Sequence, residues 1–118
     1  MKSRDQLFLL TPLFLDRAAG AGPFHCPECA QIEGLLGYFP FLRSRLDVSY
    51  VDFGRPRPAI IALLGAENQS CPVLVLGGAA PAGIAVLHHV PTNRDFVAGA
   101  AAIATYLAAA HGISQSHP

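Results

Sequence analysis

Apolar residues along this chain fall in short blocks whose period changes from one block to the next. Leu7, Phe8, Leu9 and Leu10 form a continuous run closed by Thr11-Pro12, the pattern of a strand covered on both faces. Residues 12–24 carry Pro12, Gly20, Gly22 and Pro23 and are expected to form a loop. From about Cys26 to Phe39 the spacing becomes helical, with Ile32, Leu35, Leu36 and Phe39 on one stripe. Pro27 suits the first helical turn, where a missing N–H costs nothing, and Pro40 follows the end. Residues 48–53 have the β-branched and aromatic content of a strand, closed by Gly54. Pro58 opens a brief helix through Ile60, Ile61, Leu63 and Leu64, with Gly65 as its C-terminal cap.

Val73, Leu74, Val75 and Leu76 make another buried run, ended by Gly77-Gly78. Residues 78–93 show no clear period. A fourth strand is expected either at 84–87 or at 95–97. The last helix covers roughly 100–110, with Ile103 and Leu107 inward and Gly112 as its stop. A strand–helix–strand beginning implies a parallel pair with a right-handed crossover. Buried strands flanked by helices imply an α/β domain, and 118 residues are too few for two ordinary ones, so 1–118 reads as one domain.

Composition sharpens this picture. Hydrophobic residues make up 52% of the chain, enough for a real core, while only 14% are charged. That predicts more apolar surface than usual and a homodimer contact. Lys and Arg number 8, as do Asp and Glu, so there is no field to draw nucleic acid or an acidic membrane surface. Arg43, Arg45, Arg55 and Arg57 are the basic clustering and read as a solvated rim. No apolar stretch approaches the ~20 residues of a membrane-spanning helix. Lys2 and Arg4 ahead of the apolar run 7–15 imitate a signal peptide. Asp5, Asp16 and Thr11-Pro12 argue against it, and cleavage near Ala21 would delete the first strand, so the expectation is a cytoplasmic protein.

Three cysteines are too few, and odd in number, for a stapled secreted mini-protein. Two of them stand in Cys26-Pro27-Glu28-Cys29, after a strand and at the start of a helix. Free backbone N–H groups and the helix dipole at that end favour a thiolate over a thiol. The spacing lets the second sulfur attack a mixed disulfide formed on the first. Cys26 is therefore expected to be exposed and nucleophilic, and Cys29 more buried and resolving. His25, if protonated, would favour the Cys26 thiolate and Glu28 would oppose it. A pair of ordinary core cysteines is the competing reading, weakened by the position at a helix start.

The segment Phe24-His25-Cys26-Pro27-Glu28-Cys29 resembles the active-site segment of the thioredoxin-like superfamily, and its Cys-Pro-x-Cys form is similar to that of glutaredoxin. Ser70-Cys71-Pro72-Val73-Leu74 resembles the superfamily's cis-proline segment. Residues 95–107 resemble the end of a glutathione transferase N-terminal domain. The resemblance spans nearly the whole chain and is nearest to small bacterial thioredoxin-like domains of unassigned function. It implies a thioredoxin-like fold, with a central mixed four-stranded sheet flanked by three helices and Pro72 in cis. It also implies a thiol–disulfide oxidoreductase without a resident cofactor, acting on a protein or low-molecular-weight disulfide. Pro72 and the Cys71 backbone would position the substrate, His25 would tune the thiol, and glutathione is the implied co-substrate.

Two departures stand out. Glutathione-binding relatives place an acidic–polar pair at the start of the last helix, where this chain has Ala98-Gly99. The residue before the cis-proline is usually Thr, Val or Ile, and here it is Cys71. Cys71 reads first as a small apolar residue packing under Pro72. An alternative is a Cys₃His set of Cys26, Cys29, Cys71 and His25 holding zinc, or an iron–sulfur cluster at the same place, in a carrier or sensor. A non-catalytic interaction module is a third reading.

The other polar residues have plainer explanations. His88 and His89, adjacent in sequence, would face opposite ways on a strand and read as exposed loop residues. His111 suits a helix C-terminus, His117 lies in a tail, and Tyr38 and Tyr106 fit helix packing. The polar run at 67–70 either lines a cleft or caps the preceding helix and makes a turn.

Overall fold

The computed structural model describes residues 3–118. Its elements are β1 (Asp5–Leu10), α1 (Pro27–Tyr38), a 3₁₀ turn at Pro40–Ser44, β2 (Leu46–Val51), α2 (Pro58–Leu64), β3 (Val73–Val75), β4 (Leu87–His89), β5 (Arg94–Ala98) and α3 (Ala100–His111). The strands form one mixed sheet in the order β2-β1-β3-β5-β4. β1 runs parallel to β2, and β3 and β5 continue the sheet antiparallel.

The apolar blocks explain the layering. Alternate residues of a strand face opposite sides, so a continuous apolar run demands cover on both. Leu7 and Leu9 of β1 and Leu74 of β3 pack with Ile32 and Leu36 of α1 and Ile103 and Leu107 of α3. Phe8, Val73, Val75 and Phe96 pack on the other face against Ile60 and Leu64 of α2. The central strands are thus buried by two helices on one side and one on the other. The β1–β2 pairing runs from Asp5↔Leu46 to Leu10↔Val51, so β2 stops at Val51, two residues before the apolar pattern does.

The sheet has five strands rather than the expected four. Both regions considered for the fourth strand are used: 95–97 lies within β5, and 84–87 reaches β4 only at Leu87. The two strands form a hairpin with Leu87 opposite Phe96. Its turn is closed by the Asn93 N–H donating to the Val90 carbonyl at 3.0 Å. β4 is three residues long and sits at an edge, with Leu87 and His88 exposed. It buries too little to leave a strand pattern in the sequence.

The Cys71–Pro72 peptide bond is cis, as expected; Gly22–Pro23 and Arg55–Pro56 are cis as well. Among the described residues no helix is long and apolar enough to cross a membrane.

At the end of the sheet away from the cysteines, Gly77 passes so close to the β1 entrance that an added Cβ would lie 2.1 Å from the Ser3 carbonyl oxygen. Only glycine permits that approach. The buried carboxylate of Asp5 fastens it, accepting the Gly77 N–H at 2.8 Å, the Tyr106 hydroxyl at 2.6 Å and His111 Nε2 at 2.8 Å.

Candidate functional site

The site is built where β1 ends and α1 begins. Cys26 is the N-cap of α1, extended at φ −78° and ψ 118°, with Pro27 following it at the helix start. Helix starts leave N–H groups without intrahelical partners. Here the Cys29 N–H donates to Cys26 Sγ at 3.2 Å, a role usually filled by Ser, Thr, Asp or Asn. Cys26 remains partly exposed, whereas Cys29 lies one turn in at 5% exposure. The Leu10 N–H, at the end of β1, points to Cys29 Sγ at 3.4 Å. Cys26 and Cys29 approach within 3.0 Å, and all three cysteines are free.

The cis-proline segment closes the other side. Cys26 Sγ lies 4.0 Å from the Cys71 carbonyl oxygen, and Pro72 is buried with its carbonyl accepting the Gly99 N–H at 3.1 Å. Burial pushes the Cys29 thiol up to about 12; its hydrogen bond with Cys26 adds to this, and the Leu10 amide opposes it. Burial likewise pushes Cys71 up to about 11, opposed first by the charge of Arg57. At neutral pH both are therefore thiols. Neither is poised to attack first, while the half-exposed Cys26 is reachable.

A cavity of about 480 Å³ opens beside the two helix-start cysteines, lined by His25, Cys26, Cys29, Ala30, Glu33 and Tyr50 among others. At its rim the Tyr50 hydroxyl donates to Glu33 Oε2 at 2.6 Å, and Arg43 pairs with Glu33 and reaches Tyr50 Oη at 3.3 Å. This network neutralises Glu33, so the wall beside the sulfurs carries little net charge.

The structure brings Cys26, Cys29, Cys71 and Pro72 together and places His25, exposed, on the cavity wall. Among the described residues no three His, Cys, Asp or Glu side chains converge as a metal-binding group. Glu28 holds two helices together, since its Oε1 accepts the Ala100 N–H, the first of α3, at 2.9 Å. This ties the Cys-x-x-Cys turn to the last helix. Glu28→Ala is expected to cost about 1 kcal/mol, the usual worth of a side-chain cap. Chemical denaturation measures it, and an unchanged midpoint would refute the capping role.

Arg57 departs from the solvated rim expected of it. It is 6% exposed, donating from Nη1 to the Gln69 carbonyl at 2.7 Å and from Nη2 to the Phe53 carbonyl. The polar run at 67–70 explains this. Asn68 caps the end of α2 by donating to the Leu64 carbonyl, Gln69 closes the following turn by donating to the Ala66 carbonyl, and Gln69 Oε1 also accepts the Arg57 N–H. Of the four arginines, only Arg57 directly precedes the Pro58 helix start, with the apolar Ile60 three positions on, a weak sign of burial available in the sequence.

His88 pairs with Asp95 at 2.7 Å, while its neighbour His89 turns inward to 8% exposure, 3.2 Å from Glu67. The two face opposite ways as expected, although on a strand rather than in a loop. Tyr38, expected in helix packing, is instead 81% exposed. No curated protein and no solved structure matches the chain. Residues 4–115 match the family described as a protein of unknown function, DUF3088, and the chain belongs to that family.

Proposed function

We propose that this protein exchanges thiols and disulfides on a thioredoxin-like scaffold, with Cys26 attacking and Cys29 resolving. The observation that carries this reading is the contrast between the two sulfurs. Cys26 sits half-exposed at a helix N-cap with an N–H aimed at it, and Cys29 is buried one turn away within reach of it. A thiolate on Cys26 attacks a disulfide, one substrate sulfur leaves, and a mixed disulfide remains. Cys29 then attacks Cys26 Sγ, closing an internal disulfide and releasing the second substrate thiol.

The topology supports the scaffold. Leaving aside the edge strand β4, the order β2-β1-β3-β5, with β1 and β2 parallel and the rest antiparallel, is the mixed four-stranded arrangement that the resemblance implies. The cis Cys71–Pro72 segment lies against Cys26 as it would in such a protein. A substrate backbone would pair with Cys71, while its side chain would enter the cavity beside His25.

Glutathione fits less well than a protein or small uncharged disulfide. The N-terminus of α3, where relatives hold the γ-glutamyl end, is already served by Glu28. Reduction of a protein disulfide and of glutathione disulfide, each with an excess of dithiol reductant, tests the proposal. The protein substrate should turn over well above the rate of the reductant alone, and glutathione disulfide should not exceed it. No acceleration with any disulfide would overturn the reading.

A further inference from the structure

The cavity beside the helix-start cysteines has a chemistry that the exchange scheme does not yet use. Leu9, Leu10, Pro12 and Ala30 give it an apolar lining around Cys26 and Cys29, and His25, Glu33 and Tyr50 supply its other polar side chains. Glu33 is the one acid among those lining residues, and both of its oxygens are taken. Arg43 Nη2 donates to Oε1, and the Tyr50 hydroxyl donates to Oε2 at 2.6 Å. Arg43 also donates to Tyr50 Oη at 3.3 Å. Tyr50 is thus tied at its hydroxyl by two partners, although the residue is 44% exposed. A ring fixed in this way loses little freedom when a ligand packs on it, and stacking against a second ring adds to plain burial. An apolar cavity of about 150 Å³ already holds a benzene ring, so one of about 480 Å³ admits a whole aromatic side chain. A charged group would give up water against apolar neighbours, with Glu33 and Arg43 already paired to each other.

We propose that this cavity receives the residue next to the substrate cysteine, that it selects an uncharged aromatic one, and that Tyr50, held by Glu33 and Arg43, is the specificity-determining residue. This rests on the exchange reading given above. As Cys26 Sγ bonds to one substrate sulfur, the bond between the two substrate sulfurs breaks. The other sulfur leaves as a thiolate that takes up a proton. The ring beside the attacked sulfur lies against Tyr50 and the apolar lining both before and during the attack. Its burial therefore raises the rate at low substrate concentration. The substrate class is a disulfide-bonded peptide segment with a ring-bearing neighbour to its cysteine.

The test uses the reduced full-length protein and the disulfide dimers of three capped tripeptides, each with a central cysteine flanked on both sides by phenylalanine, serine or aspartate. Loss of the free Cys26 thiol, followed by quenching and mass spectrometry, gives a second-order rate for each dimer. Each rate is divided by that of the same dimer with a small alkyl thiol. The phenylalanine peptide should exceed the serine peptide by at least about tenfold. Tyr50→Leu should cut that preference about fivefold, and Tyr50→Phe, which keeps the ring, should retain most of it. Arg43→Met leaves the Glu33 charge uncompensated and should deepen the discrimination against aspartate, relative to serine, about threefold at low salt and less at high salt. Each figure is a ratio within one protein, so a partly unfolded variant does not distort it. Equal normalised rates for the phenylalanine and serine peptides would overturn the proposal. A preference that survives Tyr50→Leu, or that falls as far in Tyr50→Phe, would overturn the role of the Tyr50 ring. Unchanged discrimination in Arg43→Met would overturn the neutral wall. Failure of the exchange reading looks different: Cys26 would then react with all three dimers no faster than the alkyl thiol does.

Discussion

Cys26→Ser is expected to lower catalysed disulfide reduction by at least about 100-fold, while leaving the fold as stable as before or slightly more so. The loss follows from the nucleophile, because exchange needs a thiolate and a serine hydroxyl does not ionise near neutral pH. A 100-fold loss corresponds to about 2.7 kcal/mol of transition-state stabilisation. The retained stability follows from position. Cys26 is the N-cap of α1 and accepts the Cys29 N–H, and Ser fills that place better than most residues. The substitution therefore separates chemistry from folding. Turnover of a protein disulfide gives the first quantity and a denaturant midpoint the second. Wild-type turnover in Cys26→Ser would remove Cys26 from the chemistry. A large drop in midpoint would show that the sulfur is chiefly a packing element.

The helix start was legible because its determinants are local. Strand, loop, Pro27 and the two cysteines lie within a short span, and the apolar stripe of Ile32, Leu35 and Leu36 states the helix without help from elsewhere. The buried strands were equally plain, since Leu7 to Leu10 and Val73 to Leu76 need cover on both faces. Residues that depend on distant partners were not legible. Asp5 reads as a charge flanking an apolar run, Tyr106 as helix packing and His111 as a dipole cap. Their junction spans 101 and 106 positions of sequence, and no window reading can find it. Arg57 misleads for the same reason. Its burial depends on Gln69 and Phe53, whose carbonyls stand where water would otherwise be. β4 escaped because an edge strand of three residues buries one face at most.

The largest stability effect should come from that distant junction. Asp5→Ala is expected to destabilise the fold by about 3–5 kcal/mol, the usual cost of removing one partner from a buried charged network. It would leave the Gly77 N–H, the Tyr106 hydroxyl and His111 without their acceptor, and would loosen the close pass of Gly77 over the β1 entrance. Against a total of about 5–15 kcal/mol for a typical domain, much of the protein would be unfolded at moderate temperature. The same network sets an acid dependence. Burial works against the Asp5 charge, but hydrogen bonds from Gly77, Tyr106 and His111 outweigh it and hold its carboxyl below the ordinary value. A lowered carboxylate contributes stability that is fully present above its unfolded value, near 3.9, and is lost as pH falls through the folded one. Denaturant midpoints of wild type and Asp5→Asn should therefore differ most at neutral pH and converge on acidification below about pH 4. A gap that stays constant down to pH 2 would show that the Asp5 contribution comes from shape and not from its charge.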